Sequence, residues 1–288
     1  MSKTLPSRLK RFHPVEMTDA DFDRISRLVY EVCGINLTDG KKELLKARLG
    51  RVIRKGSFPS FRDYYEHVLQ DSSGEELVRL LDAVSTNFTG FFREPQHFEY
   101  LKAEFLPEMA ARKGCGQGKL RFWSAGCSSG EEPYSLAIAL MENLDHPEAW
   151  DLRIIATDLS SKVLKLAAAG IYPQERIRSL SFPLWRKYFL KGENDWEGYV
   201  RVKNSLKKYI SFERLNLMEA FSFAEPLDCI FCRNVMIYFD KPTQVALLER
   251  FYHNLTPGGA ILIGHSESLA GIQHSFRYVK PAIYRKEK

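Results

Sequence analysis

No stretch of this chain stays apolar for the ~20 residues a membrane span requires. The N-terminus carries Lys3, Arg8, Lys10 and Arg11 and has no apolar h-region, so it does not read as a secretory signal. Cysteine is scarce and odd in number, at Cys33, Cys115, Cys127, Cys229 and Cys232. That usage argues against a disulfide framework and predicts reduced thiols in a cytoplasmic protein that is not membrane-embedded. Cys229-x-x-Cys232 has redox or zinc spacing, but no second Cys or His pair stands near it, so core thiols are expected and no metal. Internal repeats and low-complexity tracts are missing as well. What is present is ordinary for a globular protein: 288 residues, 44% hydrophobic and 27% charged, suit one large domain or two unequal ones.

Charge is the first feature out of the ordinary. Between Lys41 and Lys55 stand Lys41, Lys42, Lys46, Arg48, Arg51, Arg54 and Lys55 against one acid, Glu43, a surplus equal to the +6 of the whole chain. At helical spacing Leu45, Leu49, Val52 and Ile53 share one face, and Arg48, Arg51 and Lys55 an adjacent one. A charge run is usually a solvated face. A nucleic-acid patch is disfavoured because aromatic interleaving is missing and the rest of the chain is neutral. Docking of an acidic partner fits best, with Arg48, Arg51 and Arg54 as contacts.

The basic segment lies in a run of short helices. Thr18-Asp19-Ala20-Asp21 reads as a cap, followed by Phe22, Ile25, Leu28 and Val29, and two further helical patterns follow over 61–69 and 77–84. This predicts an all-helical N-terminal domain over 1–90. The pattern changes after Pro107. Strands are expected at 119–126, 152–157, 209–212, 227–231 and 260–263, alternating with helices at 131–144, 161–169 and 241–255. Such alternation predicts an α/β domain over 91–288 with a parallel sheet and helices on both faces. Residues 171–208, interrupted by prolines and glycines and ending in Tyr199-Val-Arg-Val-Lys203, read as an inserted antiparallel β-subdomain.

In an open α/β sheet ligands bind beyond the carboxyl ends of the strands, and four predicted strand ends here are polar. The run 227–231 ends in Cys232-Arg233-Asn234-Val-Met-Ile-Tyr238. Another ends in Ser124-Ala-Gly-Cys-Ser-Ser-Gly130, small residues that let a ligand approach the backbone, though without a full G-x-G-x-x-G. The helix after it opens with Glu131-Glu132, which would repel a phosphate and favour an ammonium. Asp158 stands where an acid accepts ribose hydroxyls, and Asn216-Leu217 where an amide and backbone can read an adenine edge. Together these describe a pocket for a nucleoside bearing an amino-acid tail, S-adenosylmethionine.

Four motifs then carry a family resemblance: Ser85-Thr-Asn-Phe-Thr-Gly-Phe-Phe-Arg-Glu94, Trp123-Ser-Ala-Gly-Cys-Ser-Ser-Gly-Glu-Glu-Pro-Tyr-Ser135, Phe231-Cys-Arg-Asn-Val-Met-Ile-Tyr-Phe-Asp240 and Gly264-His-Ser-Glu-Ser268. In this order, from about Phe12 to Lys286, the chain resembles the CheR-type chemotaxis protein-glutamate methyltransferases. The resemblance implies a Rossmann-like S-adenosylmethionine-dependent methyltransferase domain with an inserted β-subdomain behind a helical receptor-docking domain. It implies that Asn87, Thr89, Arg93, Glu132, Asp158, Asn216, Leu217, Arg233 and Asn234 surround the cofactor and that Tyr238 lies near its methyl group. Gly126-Cys127 departs from some relatives, which have alanines there. The implied reaction methylates glutamate carboxylates on the cytoplasmic coiled coil of chemoreceptors, at membrane receptor arrays, with S-adenosylhomocysteine as product. Arg93 is expected to hold a carboxylate, with Tyr238 orienting the incoming oxygen. His265 reads equally as a site residue and as a loop histidine paired with backbone. The edge of the β-subdomain is either packing only or a place for a receptor tail. A non-catalytic cofactor-binding scaffold is opposed by intact Arg93, Asp158, Asn234 and Tyr238. A nucleic-acid methyltransferase is opposed by the absence of an Asn/Asp-Pro-Pro-Tyr-type motif.

Overall fold

The computed structural model describes residues 16–85, 88–114 and 118–287, so Asn87 and Cys115 lie outside the described residues. The chain divides into two compact units, one of residues 1–30 and 37–85, the other of 31–36 and 86–288.

The first unit is helical. Helix α1 (Asp19–Cys33) starts in a reciprocal capping box: the Thr18 amide donates to Asp21 Oδ2 at 3.1 Å, and the Asp21 amide to Thr18 Oγ1 at 3.1 Å. Helix α2 (Lys42–Gly56) buries Leu45, Leu49, Gly50 and Ile53, with Val52 only half-buried, and stops at Ser57 in the left-handed conformation. Helices α3 (Phe61–Gln70) and α4 (Glu75–Val84) complete the bundle, Ser60 capping α3 through the Asp63 amide.

The second unit opens with α5 (Pro95–Tyr100), a wide π turn at Leu101–Phe105, and α6 (Leu106–Lys113). None of these helices is expected from sequence, because Pro107 reads as a break, yet a proline at the start of a helical segment costs little. Then come β1 (Lys119–Ala125), α7 (Glu131–Asn143), β2 (Asp151–Asp158) and α8 (Ser161–Ala169). The insertion holds β3 (Ile171–Pro173), α9 (Phe182–Tyr188), β4 (Phe189–Lys191), β5 (Tyr199–Val202) and α10 (Asn204–Lys207). After it follow β6 (Ile210–Arg214), β7 (Leu227–Cys232), α11 (Lys241–Asn254), β8 (Leu255–Ile263), β9 (Arg277–Lys280) and β10 (Ile283–Arg285).

The main sheet runs β6-β2-β1-β7-β8-β10-β9, and the insertion forms an antiparallel sheet β3-β5-β4. The first five strands are mutually parallel, whereas β10 is antiparallel to both β8 and β9. This C-terminal hairpin has no counterpart in the expected elements. Order reverses between β1 and β7, and a crevice opens at the carboxyl ends of strands at such a switch.

Trp123 on β1 is fully buried beside Phe221, Phe223 and Phe251, and its indole N–H donates to Thr157 Oγ1 at 2.9 Å. The run 227–231 is not wholly apolar, since it contains Asp228, fully buried on β7. A lone carboxylate there would be very costly. Lys113, 2.7 Å away, and the Arg121 amide at 3.0 Å supply its partners. Cys229 and Cys232 are core thiols, both without exposure. Among the described residues no helix is long and apolar enough to cross a membrane.

Candidate active site

The crevice is built from five segments of the second unit. After β1 the chain turns through Gly126, at φ +80°, and Ser128, at φ +49°, into α7. At φ +80° a Cβ on residue 126 would stand 2.4 Å from Val235 Cγ2, so any larger residue there must displace that side chain. The amides of Gly126 and Cys127 both donate to the Thr157 carbonyl, at 2.8 and 2.9 Å, which clips the turn to the end of β2. Asp158 closes that strand. Its carboxylate accepts the Ser128 amide at 2.9 Å and the Ser160 amide at 3.0 Å, so both of its oxygens are oriented by backbone.

Segment 88–94 is held in a strained form. Phe92 and Glu94 have φ of +51° and +58°, costly for side-chain-bearing residues. The Phe92 amide donates to Ser135 Oγ on α7 at 2.9 Å, and Arg176 donates to the Thr89 carbonyl at 3.0 Å. Arg93 folds its guanidinium back to the Phe88 carbonyl at 2.8 Å and over the Phe88 ring, with one of its five donors so used.

At the end of β7, Arg233 is the hub. It is 7% exposed and donates from Nε to Glu94 at 3.1 Å, from one terminal nitrogen to Glu132 at 3.2 Å, and from the other to the Arg93 carbonyl. Glu132 also accepts the Ser124 hydroxyl at 2.7 Å. Burial pushes the Glu132 carboxyl above the usual range, although Arg233 and Ser124 pull it back. For Glu94 burial acts in the same direction, but Arg233 and the His265 amide prevail and hold it below its ordinary value. Two carboxylates thus share one guanidinium in a largely dry setting, where removing any partner strands a charge.

His97, fully buried beside this hub, is pushed down to about 3 by its burial and by Arg233, so its ring is neutral. Among the described residues neither ring nitrogen has a hydrogen-bond partner, and Nδ1 stands 3.5 Å from Glu94 Oε2. His265 is exposed; its backbone N–H donates to Glu94 at 3.2 Å and its ring meets His97 edge-on at 5.0 Å. Glu94, His97 and His265 bring ligand atoms within 4.8 Å of one another. A cation among them would compete with Arg233 for Glu94 and face its guanidinium, so the trio is read as packing.

Of the remaining predicted residues, Asn216 stands two places past β6. Its amide donates to the Val32 carbonyl at 2.7 Å, and its side-chain oxygen accepts the Met218 amide at 3.1 Å. The Leu217 side chain belongs to the core cluster with Trp123 and Ala125. Asn234 has φ +59°, and Tyr238 ends a short 3-10 turn, Met236–Tyr238, its carbonyl accepting the Asn36 amide at 2.7 Å. Arg93, Glu132 and Arg233 therefore share one network, with Asp158 on the far side of the β1 turn. Glu94 and Glu267 stand inside the quoted motifs, but no spacing rule marks them as the groups that tie the loops together.

In the helical unit Arg48 is employed internally. Its guanidinium donates to the Val84 carbonyl at 2.5 Å, at the open C-terminal end of α4, whereas Arg51 and Arg54 are exposed.

A model of the CheR methyltransferase all-alpha domain matches residues 20–85, and a model of the CheR methyltransferase S-adenosylmethionine-binding domain matches 87–284. The chain belongs to the CheR methyltransferase family. The chemotaxis protein methyltransferase of Borreliella burgdorferi is 40% identical over 275 residues, 94% of this chain and 96% of that one. Chemotaxis protein methyltransferase 2 of Pseudomonas aeruginosa is 39% identical over 99% of both chains. The Escherichia coli chemotaxis protein methyltransferase is 37% identical, over 94% of this chain and 92% of that one. This CheR-family chain is an S-adenosylmethionine-dependent methyltransferase. The residues present suit that cofactor in their chemistry: an acid ends β2, Asp158, and another stands in the first turn of α7, Glu132, which favours hydroxyl and ammonium groups over phosphates.

Proposed function

We propose that this chain methylates glutamate side chains on the cytoplasmic coiled coil of chemoreceptors, giving glutamate methyl esters for sensory adaptation. The observation that carries the reading is that the Glu94–Arg233–Glu132 hub and Asp158 both stand at the carboxyl ends of parallel strands flanking the strand-order switch. Asp158 would take the ribose hydroxyls, and Asn216 with the Leu217 backbone the adenine. Thr89, Glu132, Arg233, Asn234 and Asn87 would surround the amino-acid tail. When bound, the cofactor supplies a methyl carbon made electrophilic by its sulfonium.

The acceptor defines the rest. A glutamate carboxylate, with an ordinary pKa near ~4.3, is ionised at neutral pH and needs no base to make it a nucleophile. In keeping with this, the histidine beside the hub is neutral and buried, and among the described residues it has no hydrogen bond to a carboxylate. The protein's task is alignment, which is worth roughly 7–11 kcal/mol of barrier. Arg93, with donors to spare beyond the Phe88 carbonyl, holds the incoming carboxylate, and Tyr238 borders the methyl group and orients the oxygen. Arg51 and Arg54, with Arg48 behind them, present the docking face to the receptor. The β3-β5-β4 edge offers strand addition to a receptor tail.

One experiment tests this. The chain is incubated with methyl-labelled cofactor, receptor-rich membranes and RNA. Label should enter the receptor and leave as methanol in mild alkali, since the product is an ester. Alkali-stable label would point to an amine or thiol acceptor, label in RNA to a nucleic-acid methyltransferase, and no label to a scaffold.

A further inference from the structure

One buried carboxylate near the crevice has no task in the reaction described so far. Glu267 lies beyond β8 and is 8% exposed. Its Oε2 accepts the Asn234 amide at 2.9 Å and the Gly264 amide at 2.5 Å, and its Oε1 accepts the Ile237 amide at 3.1 Å. The Met236 amide adds a fourth backbone bond. Among the described residues no lysine or arginine is paired with it. Its charge is balanced by peptide N–H groups alone, three of which come from one turn.

That turn, 233–238, needs such a partner. Only Met236–Tyr238 is helical, a single 3-10 turn whose Tyr238 amide bonds the Val235 carbonyl, so the amides that precede it need acceptors from outside the turn, and a buried amide without one is costly. Asn234 also holds φ +59°, a conformation that persists only where the surroundings impose it. Gly264 completes the fit: a Cβ there would stand 2.4 Å from Asn234 Nδ2 and 2.8 Å from Glu267 Oε2, so the two strand-end loops touch through backbone. A carboxylate bonded to several amides is a charge-assisted clamp, shorter-ranged and stiffer than neutral hydrogen bonds.

We propose that Glu267 is a positioning residue for methyl transfer. It sets the conformation of the 233–238 turn, and through it the placement of Asn234 and Tyr238, without touching cofactor or receptor. The inference rests on the reading of this turn as one wall of the cofactor and methyl site.

The test is Glu267→Gln in the full chain, which keeps size and shape but turns one acceptor oxygen into a donor that faces other donors. Three quantities are read: the amide resonances of Asn234, Ile237 and Gly264, the affinity for S-adenosylhomocysteine by calorimetry, and kcat with KM for receptor. The expected result is an upfield shift of those amides, with affinity and kcat each reduced about tenfold or more, the size of losing a positioned charged contact. The receptor KM should stay within about twofold, because docking lies elsewhere. Glu267→Asp, which keeps the charge but shortens the reach, should fall between wild type and Gln, and it carries the same readouts should Gln fail to fold. Unmoved amide resonances with wild-type kinetics overturn the clamp itself. Shifted resonances with wild-type affinity and kcat also overturn the proposal, and with it the placement of the site on this turn. Lost melting temperature with normal kinetics in the folded protein reduces Glu267 to a structural role.

Discussion

Asp158 is the residue on which the cofactor reading is most exposed. Its carboxylate is aimed by the Ser128 and Ser160 amides, so replacing it should cost ligand affinity. Asp158→Ala is expected to weaken S-adenosylmethionine binding by about 1.5–3 kcal/mol, the range for hydrogen bonds to a charged group. Calorimetry showing unchanged affinity in the folded variant would remove Asp158 from the site. His97 makes the opposite kind of prediction, about stability. Its folded pKa of about 3 lies below the ordinary 6.5, with Arg233, Glu94 and His265 as its charged or titratable neighbours. The unfolded chain therefore binds the proton first. The stability His97 contributes is complete above about 6.5 and is lost progressively as pH falls toward 3. His97→Phe fills the same apolar cage without taking a proton. Between pH 7 and pH 5 it should lose less urea stability than wild type, and equal losses would mean that His97 is not the group responsible.

Among the elements, α2 joins two functions that sequence spacing does not separate. Its apolar stripe is legible at once, because helical periodicity in the sequence is a direct record of burial. Arg48 is not, since the Val84 carbonyl it satisfies belongs to α4, far along the chain. Arg48→Ala should thus destabilise the protein by about 1–2 kcal/mol, whereas Arg51→Ala with Arg54→Ala should stay within about 0.5 kcal/mol of wild type. The exposed pair should act on capture instead. Its loss should raise the receptor KM and flatten the salt dependence, since exposed charges are screened over ~8–10 Å. A wild-type KM at low salt in the double variant would make the helix a solvated face. Elements that escaped the sequence share a cause as well. Helices α5 and α6 are interrupted by a π turn and Pro107, and β9 is a short edge strand with little buried surface, so neither leaves a clean period.

At the scale of the whole molecule, the thiols report on cooperativity. Cys127, Cys229 and Cys232 are buried in the sheet region, and burial pushes all three thiols well up. In urea they should react with a thiol reagent only as the sheet itself opens, tracking the fluorescence of the equally buried Trp123. Labelling that runs ahead of that fluorescence change would show a sheet that opens piecemeal. The same scale explains what of the site could be read in advance. Polar residues after apolar runs mark strand ends, so Asp158, Asn216 and Arg233 stand out in the sequence. The bonds among Glu94, Glu132 and Arg233 do not, because they depend on left-handed turns at Phe92 and Glu94 that the finished fold imposes.

The contact between Gly126 and Val235 reaches beyond this one chain. The β1 turn and the β7 turn come so close that a single methyl group at 126 would fall 2.4 Å from Val235. Relatives that carry alanine at the first position must shed bulk at the second or seat the turn differently. An alanine at 126 and this placement of Val235 do not fit together, so the lock between the two turns limits which halves of related chains can be joined. A chimaera that takes its first strand from an alanine-bearing relative and its fourth parallel strand from this chain would bring together two surfaces that were never shaped for each other.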